Sequence, residues 1–593
     1  MKKLLTGNEG VARGAYEAGV VYAAAYPGTP STEILENIGN YKGDIIAEWA
    51  PNEKVAVECA IGASLAGGRA ITAMKMVGLN VAADPFFSGS YAGVNGGLVI
   101  VDADDPGLHS SQDEQDNRHF APAAKVAMVE PSDSQEAKDM VIAAMEISEA
   151  YDTPVLYRMT TRVCHSKGLV EFGDRQHLPK KPYVKQYKKT SLIPAHAKQR
   201  HYDVEARLQK LAEFSEETPL NFIEWNDKKI GIISAGVAYQ YAREVFGDTV
   251  SYLKIGMSYP LPMKKIKAFA AEVETLYVIE ELDPYMEDQI KAAGIDCIGK
   301  AKIPNIEELN PDIIARALLG KERPLIQYDK SKIAGRPPTL CAGCPHRGFF
   351  YALGKKKNTI MMGDIGCYGL GGAEPLNAQD TCICMGSSIS TGHGAAKVFS
   401  KYNDDMRVVA VLGDSTFFHT GMNSLLQVVY NNSKVVTCIL DNRITGMTGH
   451  QENPGSGFTL QGDPAVITDI AEVVKALGVK YIRTVNPLDL KEMDDALEWG
   501  FSCDGPSVII TRWPCVLKKH TQQDLEEFGH YKGTCRVDAE KCIGCRKCTT
   551  TGCPALVFHK EDKKVVIDEV QCDGCRVCAQ VCPVNAIERV GDK

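Results

Sequence analysis

No apolar run in this chain reaches the length of a membrane span, and its net charge is not basic: 66 Lys+Arg stand against 75 Asp+Glu, giving −9 at pH 7. The first absence argues against a membrane-spanning helix. The second argues against nucleic acid as the principal partner, which asks for a basic surface. Met1-Lys2-Lys3-Leu4-Leu5 starts in the manner of a secretory signal, but Asn8, Glu9 and Arg13 interrupt the apolar stretch that a signal needs. A cytoplasmic location is therefore expected. What the chain has instead is length and sulfur. At 593 residues it exceeds a single core, and roughly three to five domains are expected. With 44% hydrophobic and 24% charged residues its composition is that of an ordinary globular protein. Of its 20 cysteines, eight fall between Cys542 and Cys582. In a reducing compartment such clustering reads as metal ligation before it reads as disulfides.

The stretch from Arg407 to Gly446 organises the rest. An apolar, β-branched run ends at Gly413-Asp414, a periodic segment follows, and a second apolar run ends at Asp441-Asn442. This is strand, helix, strand. In a parallel sheet both strands end on one edge, so Asp414 and Asn442 come side by side there. Two hard oxygen donors at a helix N-terminus suit Mg²⁺ carrying a diphosphate. A plainer reading stands beside it: a Gly-Asp turn capping a helix and an Asp-Asn turn after a strand. Gly413-Asp414-Ser415, with Asn442 downstream, resembles the thiamin diphosphate motif of the thiamin-dependent enzymes, Gly-Asp-Gly followed by Asn, with Ser415 where Gly is usual. The resemblance implies Mg²⁺ held by Asp414, the side-chain oxygen of Asn442 and the carbonyl of Ile444. Backbone N–H groups around Ser415 and Thr416 would face the phosphates.

The first segment, to about residue 190, alternates helical and strand-like runs, as in a doubly wound α/β domain. Tyr26-Pro27-Gly28-Thr29-Pro30 is expected to end a strand and open a helix, with Thr29 as N-cap and Pro30 at the first helical position. Pro51-Asn52-Glu53 opens a helix of small residues, KVAVECAIGASLAGG; on plain terms Glu53 favours the positive helix N-terminus. The run YPGTP, then NEKVAVECAIGASLAGG, is similar to the pyrimidine-binding domain of the 2-oxoacid:ferredoxin oxidoreductases. That match implies that Glu53 bonds N1′ of the aminopyrimidine as the acid/base carboxylate, with Glu58 a structural runner-up. It also implies that Thr29 contacts the substrate carboxylate. The arginine that assists this threonine in some relatives has no clear counterpart. His109 and Lys75 are the candidates to replace it, each otherwise an ordinary polar surface residue.

From about Gln176 to Glu217 the sequence turns basic and weakly apolar, a connector with one exposed, solvated helix. From Asn221 to about Pro324 a smaller α/β domain is expected, similar in position to the transketolase C-terminal domain and acting as scaffold; Glu280, Glu281 and Asp283 are read as surface. Cys341-Ala-Gly-Cys344, Cys367 after a Gly-Asp-Ile-Gly strand end, and Cys515 after a Pro match in order the four cysteines that bind a proximal [4Fe–4S] cluster in the family. Free buried thiols are the alternative. Cys382 and Cys384 are nearby spares, and Met385 lies where the family often places the large apolar residue that bends the cofactor.

The tail carries Cys542-x2-Cys545-x2-Cys548-x4-Cys553-Pro and Cys572-x2-Cys575-x2-Cys578-x3-Cys582-Pro. Two such runs form the bacterial two-cluster ferredoxin pattern, in which each cubane takes three cysteines of one run and the last of the other. Ligands of the first cluster are then Cys542, Cys545, Cys548 and Cys582, and those of the second Cys572, Cys575, Cys578 and Cys553. The first run has one residue more than usual before its last cysteine. Zinc ribbons are the competing reading, and Cys535 lies outside the pattern as a spare.

The resemblance spans nearly the whole chain and points to the arylpyruvate-oxidising branch of the 2-oxoacid:ferredoxin oxidoreductases. The implied fold class is multidomain α/β. A pyrimidine-binding domain occupies 1–190, a linker 191–220, a transketolase-C-like domain 221–325, a diphosphate-binding domain 326–533 and an α+β two-cluster ferredoxin domain 534–593. The implied activity is oxidative decarboxylation of an arylpyruvate such as indolepyruvate or phenylpyruvate, with coenzyme A taking the acyl group. Two electrons leave singly through the [4Fe–4S] clusters to soluble ferredoxin. A smaller second subunit is the expected partner, in a heterodimer or a dimer of heterodimers. Pyruvate or a branched-chain 2-oxo acid as substrate, a non-oxidative decarboxylase and a purely electron-transferring subunit are the alternatives.

Overall fold

The computed structural model describes residues 1–324, 326–529 and 533–591; the expected boundary at 325 and the expected domain end at 593 lie outside the described residues. The chain divides into two compact units, Met1–Tyr328 with Leu460–Gly462, and Asp329–Thr459 with Asp463–Lys593. Among the described residues no helix is long and apolar enough to cross a membrane.

The first unit is built on a seven-stranded sheet, in spatial order Met257–Tyr259, Ala127–Val129, Val155–Thr160, Leu98–Asp104, Ala70–Lys75, Tyr22–Ala25 and Ile46–Trp49. Neighbours run parallel except for the first pair. Strands covered on both faces need no polar alternation, and Leu98–Asp104 and Val155–Thr160 are buried at every position. Helix Gly7–Glu17 packs on helix Ser134–Tyr151 at close range because of its glycines: a Cβ at Gly10 or Gly14 would come within 2.6 Å of Ser134 O or 2.3 Å of Lys138 O.

Three expectations need correction in this unit. The helix after the Tyr-Pro-Gly-Thr-Pro loop begins at Thr32, and Ser31 closes the turn, its N–H and Oγ each donating to Gly28 O at 2.9 Å. Thr29 is therefore no N-cap, and Pro30, which follows a cis bond, is not the first helical residue. The segment 191–220 is not a solvated connector. Helix Pro194–Glu217 buries Arg200, Val204, Arg207, Leu211 and Ser215. Arg207 donates to Asp152 O at 2.7 Å and Ser90 O at 3.0 Å, and Arg200 to Tyr91 O at 2.7 Å. The basic charge that made the segment look solvated satisfies carbonyls at the end of helix Ala83–Ala92.

The third correction concerns the acidic cluster. Residues 222–279 form a four-stranded sheet, in order Thr275–Ile279, Ile230–Ala235, Ser251–Ile255 and Phe222–Glu224, with only the last antiparallel. Glu280 and Glu281, just beyond Thr275–Ile279, are buried, not surface. Arg118, itself 1% exposed, donates to Glu280 Oε2 at 2.6 Å from 162 positions away, and to Asp116 Oδ2 at 2.5 Å. Glu280 also accepts the N–H groups of Met286 and Glu287. A buried carboxylate requires such partners, and the residue that supplies the charge is too distant in sequence for a local reading to find. Asp283 alone of the three stays exposed.

The second unit carries five parallel strands, in order Thr359–Met362, Arg407–Gly413, Val436–Asp441, Ser507–Arg512 and Tyr481–Val485. Its tail adds two antiparallel pairs, Thr534–Val537 with Ile587–Val590 and Leu556–His559 with Lys564–Ile567.

Candidate active site

Strand Arg407–Gly413 runs straight into a helical stretch at Asp414, with one wide turn at Phe417–Gly421 before helix Met422–Tyr430. A side chain at Gly413 would meet the Tyr368 ring at 2.7 Å. The neighbouring strand lies parallel with Leu440 opposite Gly413, which brings Asp441 and Asn442 beside Asp414. The Asn442 side-chain atom that faces this group lies 3.2 Å from Asp414 Oδ1 and 2.7 Å from the Ile444 carbonyl oxygen. With the amide oxygen there, three oxygens converge with no proton between them. With the amide turned over, its NH₂ donates to both. The first orientation sets Asn442 Nδ2 3.5 Å from Nε2 of His346, whose imidazole burial holds neutral, at about 4. Burial, with the adjacent Asp441 charge, pushes the Asp414 carboxyl up to about 7, a penalty that a positive ion reverses.

Ser415 uses the hydroxyl that distinguishes it from the usual glycine: Thr445 Oγ1 donates to it at 3.0 Å. The Thr416 hydroxyl bonds Tyr368 OH at 2.6 Å. Asn453 Nδ2 donates to Asp414 Oδ2 at 3.2 Å, a neighbour that sequence reasoning missed because it lies in the irregular loop after Ile444. Met385 is half-buried, and its carbonyl accepts from Thr420 Oγ1 at 2.8 Å.

Cys341, Cys344, Cys367 and Cys515 come together beside these oxygens. Burial raises the Cys344 thiol to about 12, with Cys515 and Cys367 adding. Burial raises Cys367 to about 11, with Cys515 and Cys341 adding. Cys515 is raised too, by burial first, with Cys341 and Asp414 among its neighbours. Cys344, Cys367 and Cys515, three thiols that resist ionising, are the kind of group that a cationic metal stabilises as thiolates. Arg347 braces the Cys341–Cys344 turn by donating to Leu340 O at 2.6 Å and Cys341 O at 2.9 Å. Cys382 and Cys384 are exposed, and Cys382 Sγ instead donates to Asp364 O at 3.8 Å.

In the tail, Cys542, Cys545, Cys548 and Cys582 line a single cavity with Val537, Ile543, Val565 and Ile587. Cys553, Cys572 and Cys575 are mutual neighbours. The extra residue before Cys553 is taken up by a 3₁₀ turn, Lys547–Thr551, closed by Gly552 at φ +67°. A Cβ at Gly343 would touch Asp573, between Cys572 and Cys575, at 3.0 Å. The second tail group thus abuts the Cys341–Cys344 turn. Cys535, outside the spacing, is buried, and its N–H donates to Cys572 Sγ at 3.3 Å.

In the first unit, Asn52 caps helix Glu53–Leu65 by accepting from Val55 N–H at 2.9 Å, and this sets Glu53 in the first turn. Its carboxylate is buried against Gly78, where a Cβ would come within 2.8 Å of Oε1. Glu58 is exposed and pairs with Lys54. Of the two cations considered for the substrate carboxylate, His109 is half-exposed and pairs with Glu308 at 3.4 Å. Lys75 is buried: its Nζ donates to Ser110 O at 2.5 Å, and Ser110 Oγ donates to Thr29 O at 3.2 Å. Burial lowers the Lys75 pKa.

Residues 364–511 match the family model described as thiamine pyrophosphate enzyme, C-terminal TPP binding domain. Residues 13–218 match pyruvate flavodoxin/ferredoxin oxidoreductase, thiamine diP-bdg, a match that runs through helix Pro194–Glu217. Residues 534–583 match the 4Fe-4S dicluster domain. Over 99% of this chain and 97% of the relative, the sequence is 39% identical to indolepyruvate oxidoreductase subunit IorA of Archaeoglobus fulgidus. The subunit IorA of Pyrococcus horikoshii is 40% identical over the same shares. The 2-oxoglutarate synthase subunit KorA of Methanothermobacter thermautotrophicus is 29% identical over 30% of this chain and 49% of its own.

Proposed function

The chain belongs to the indolepyruvate oxidoreductase IorA family of thiamin-diphosphate-dependent 2-oxoacid:ferredoxin oxidoreductases, and from that premise we propose that its substrates are arylpyruvates, indolepyruvate and phenylpyruvate. These are oxidised with coenzyme A to the aryl-acetyl-CoA and CO₂, and the electrons pass to soluble ferredoxin. The observation that carries this reading is the group of oxygens at Asp414, Asn442 and Ile444 lying against four converging thiols.

Three oxygens without an intervening proton fit Mg²⁺, a hard cation that takes carboxylate, amide and carbonyl ligands. Asp414, Asn442 and the Ile444 carbonyl hold it, and the turn from Gly413 through Ser415 and Thr416 receives the diphosphate. When bound, thiamin diphosphate supplies the electron sink that lets CO₂ leave a 2-oxo acid. Glu53, buried at a helix start, holds the proton at N1′ of the aminopyrimidine. Met385 packs against the cofactor. Thr29 and Lys75 take the substrate carboxylate; the Lys75 ammonium spends one of its three N–H groups on Ser110 O, and through Ser110 it is joined to the Thr29 loop.

Cys341, Cys344, Cys367 and Cys515 hold the proximal [4Fe–4S] cluster. Cys553, Cys572, Cys575 and Cys578, beside the proximal turn, would hold a second cluster and Cys542, Cys545, Cys548 and Cys582 a third, which together would supply an outward path for single electrons. Ferredoxin would take electrons from this last cluster, where Ile543 stands 64% exposed between two of the ligands. A smaller second subunit completes the enzyme as a heterodimer or a dimer of heterodimers. None of the 20 cysteines is paired in a disulfide, which supports a cytoplasmic location.

Turnover of indolepyruvate with the second subunit present is expected to require both coenzyme A and an electron acceptor, and to exceed turnover of pyruvate. Aldehyde release with neither added would make the chain a non-oxidative decarboxylase. A preference for pyruvate or a branched-chain 2-oxo acid would overturn the substrate assignment. Iron and sulfide for three cubanes, not two, are expected in each chain.

A further inference from the structure

From Thr534 to Cys548 and from Lys564 to Cys578 the tail repeats itself without a gap. Thr534-Cys-Arg-Val-Asp-Ala-Glu-Lys-Cys542-Ile-Gly-Cys545 aligns on Lys564-Val-Val-Ile-Asp-Glu-Val-Gln-Cys572-Asp-Gly-Cys575. In this register Cys535 corresponds to Val565. Val565 lines the cavity of Cys542, Cys545, Cys548 and Cys582, where its neighbours are Val537, Ile543 and Ile587. Cys535 stands in the equivalent place beside the other group. It is 1% exposed, it packs in one cluster with Cys578 and Cys572, and its N–H donates to Cys572 Sγ at 3.3 Å. One half of a near-symmetric domain therefore sets a hydrocarbon against its cluster site, and the other half sets a thiol.

We propose that Cys535 is a positioning residue that donates its S–H to the Cys572 thiolate and holds the second tail cluster at a higher potential than the first. The proposal rests on the assignment of Cys553, Cys572, Cys575 and Cys578 as that cluster's ligands. Those four already supply one thiolate to each iron of a cubane, so a fifth cysteine keeps its proton. A donor at a ligand sulfur stabilises the extra negative charge of the reduced cluster and so raises its potential. The S–H has no counterpart at the first cluster, where the aligned residue is Val565. The second cluster, which abuts the proximal turn, would then be the one that retains an electron while the next leaves the substrate.

The test is a redox titration followed by electron paramagnetic resonance on the full chain with its clusters reconstituted, beside iron and sulfide analysis. Cys535→Val installs the residue of the other half, and Cys535→Ser keeps a donor. Both are expected to retain full iron and sulfide. Cys535→Val is expected to lower the midpoint potential of one tail cluster and leave the other unmoved, while Cys535→Ser stays near the native value. An unmoved potential in Cys535→Val overturns the proposal, and so does an equal shift in both variants, which would reflect packing. Loss of one cluster's iron from Cys535→Val would make Cys535 a ligand and overturn it as well. A native tail with no second cluster would defeat the ligand assignment itself, which the iron analysis reveals before any variant is compared.

Discussion

The backbone N–H of Cys515 donates to the backbone carbonyl of Asn442 at 3.0 Å. One residue carries a thiol proposed for the proximal cluster, the other an oxygen proposed for Mg²⁺, so this main-chain bond, continuing the pairing of Val436–Asp441 with Ser507–Arg512, would set the spacing between the two sites. Cys515→Ala is expected to lose one cluster's iron and its paramagnetic signal, to keep bound thiamin diphosphate, and to lose coenzyme A-dependent turnover. Retention of all iron would show that Cys515 is not a ligand.

Glu53→Gln keeps the size of the side chain but cannot exchange a proton with the aminopyrimidine. Cofactor content, measured as fluorescent thiochrome, is expected to stay near native while turnover falls roughly 10²–10⁴-fold. Full activity would overturn the role given to Glu53.

Asp414→Ala removes the carboxylate around which the three oxygens gather. Mg²⁺ and thiamin diphosphate are expected to be lost together on gel filtration, with the tail clusters intact. A thiamin content equal to native would count against the metal site.

Lys75→Met removes a charged donor from a buried place next to the Thr29 loop. A hydrogen bond to a charged group contributes about 1.5–3 kcal/mol, so KM for the arylpyruvate is expected to rise about ten- to a hundredfold, with kcat less affected and part of the loss recovered in Lys75→Arg. His109→Ala, at a half-exposed side chain paired with Glu308, is expected to change neither constant. The reverse order of effects would reassign the carboxylate contact to His109.

Arg118→Met leaves Asp116 and Glu280 buried without their cation, at a cost of about 3–5 kcal/mol. Urea unfolding of the full chain followed by tryptophan fluorescence is expected to move to lower denaturant. Adding Glu280→Gln, which removes one of the stranded charges, is expected to recover part of the loss. A single variant as stable as the native chain would mean that water reaches this cluster.

How much of this was legible beforehand follows the range of the interactions. The strand-turn-helix at Gly413-Asp414 and the tail cysteine spacing are local patterns, and both appear where the residues imply. The Asn52 cap before Glu53 could have been read in the same way. What failed was long-range. Glu280 looks like surface until Arg118 is brought to it, and Arg200 and Arg207 look solvated until the carbonyls at the end of helix Ala83–Ala92 are seen beneath them. Charge in a sequence signals solvent only when no distant partner claims it. Lys75 and His109 were indistinguishable by type, and burial beside Ser110 separates them. Cys535 was set aside because ligand spacing counts only ligands, whereas the repeat that aligns it with Val565 was present in the sequence throughout.

Strand Met257–Tyr259 belongs by chain order to the segment after residue 221, yet it pairs with Ala127–Val129 at the border of the larger sheet. It acts as a bandage over a row of main-chain donors and acceptors that would otherwise recruit a neighbouring molecule. A fragment ending at residue 220 would keep Glu53, Thr29 and Lys75 yet bare both that flank and the apolar side chains that residues 233–290 cover, so its insolubility would not mean any fault in those three residues.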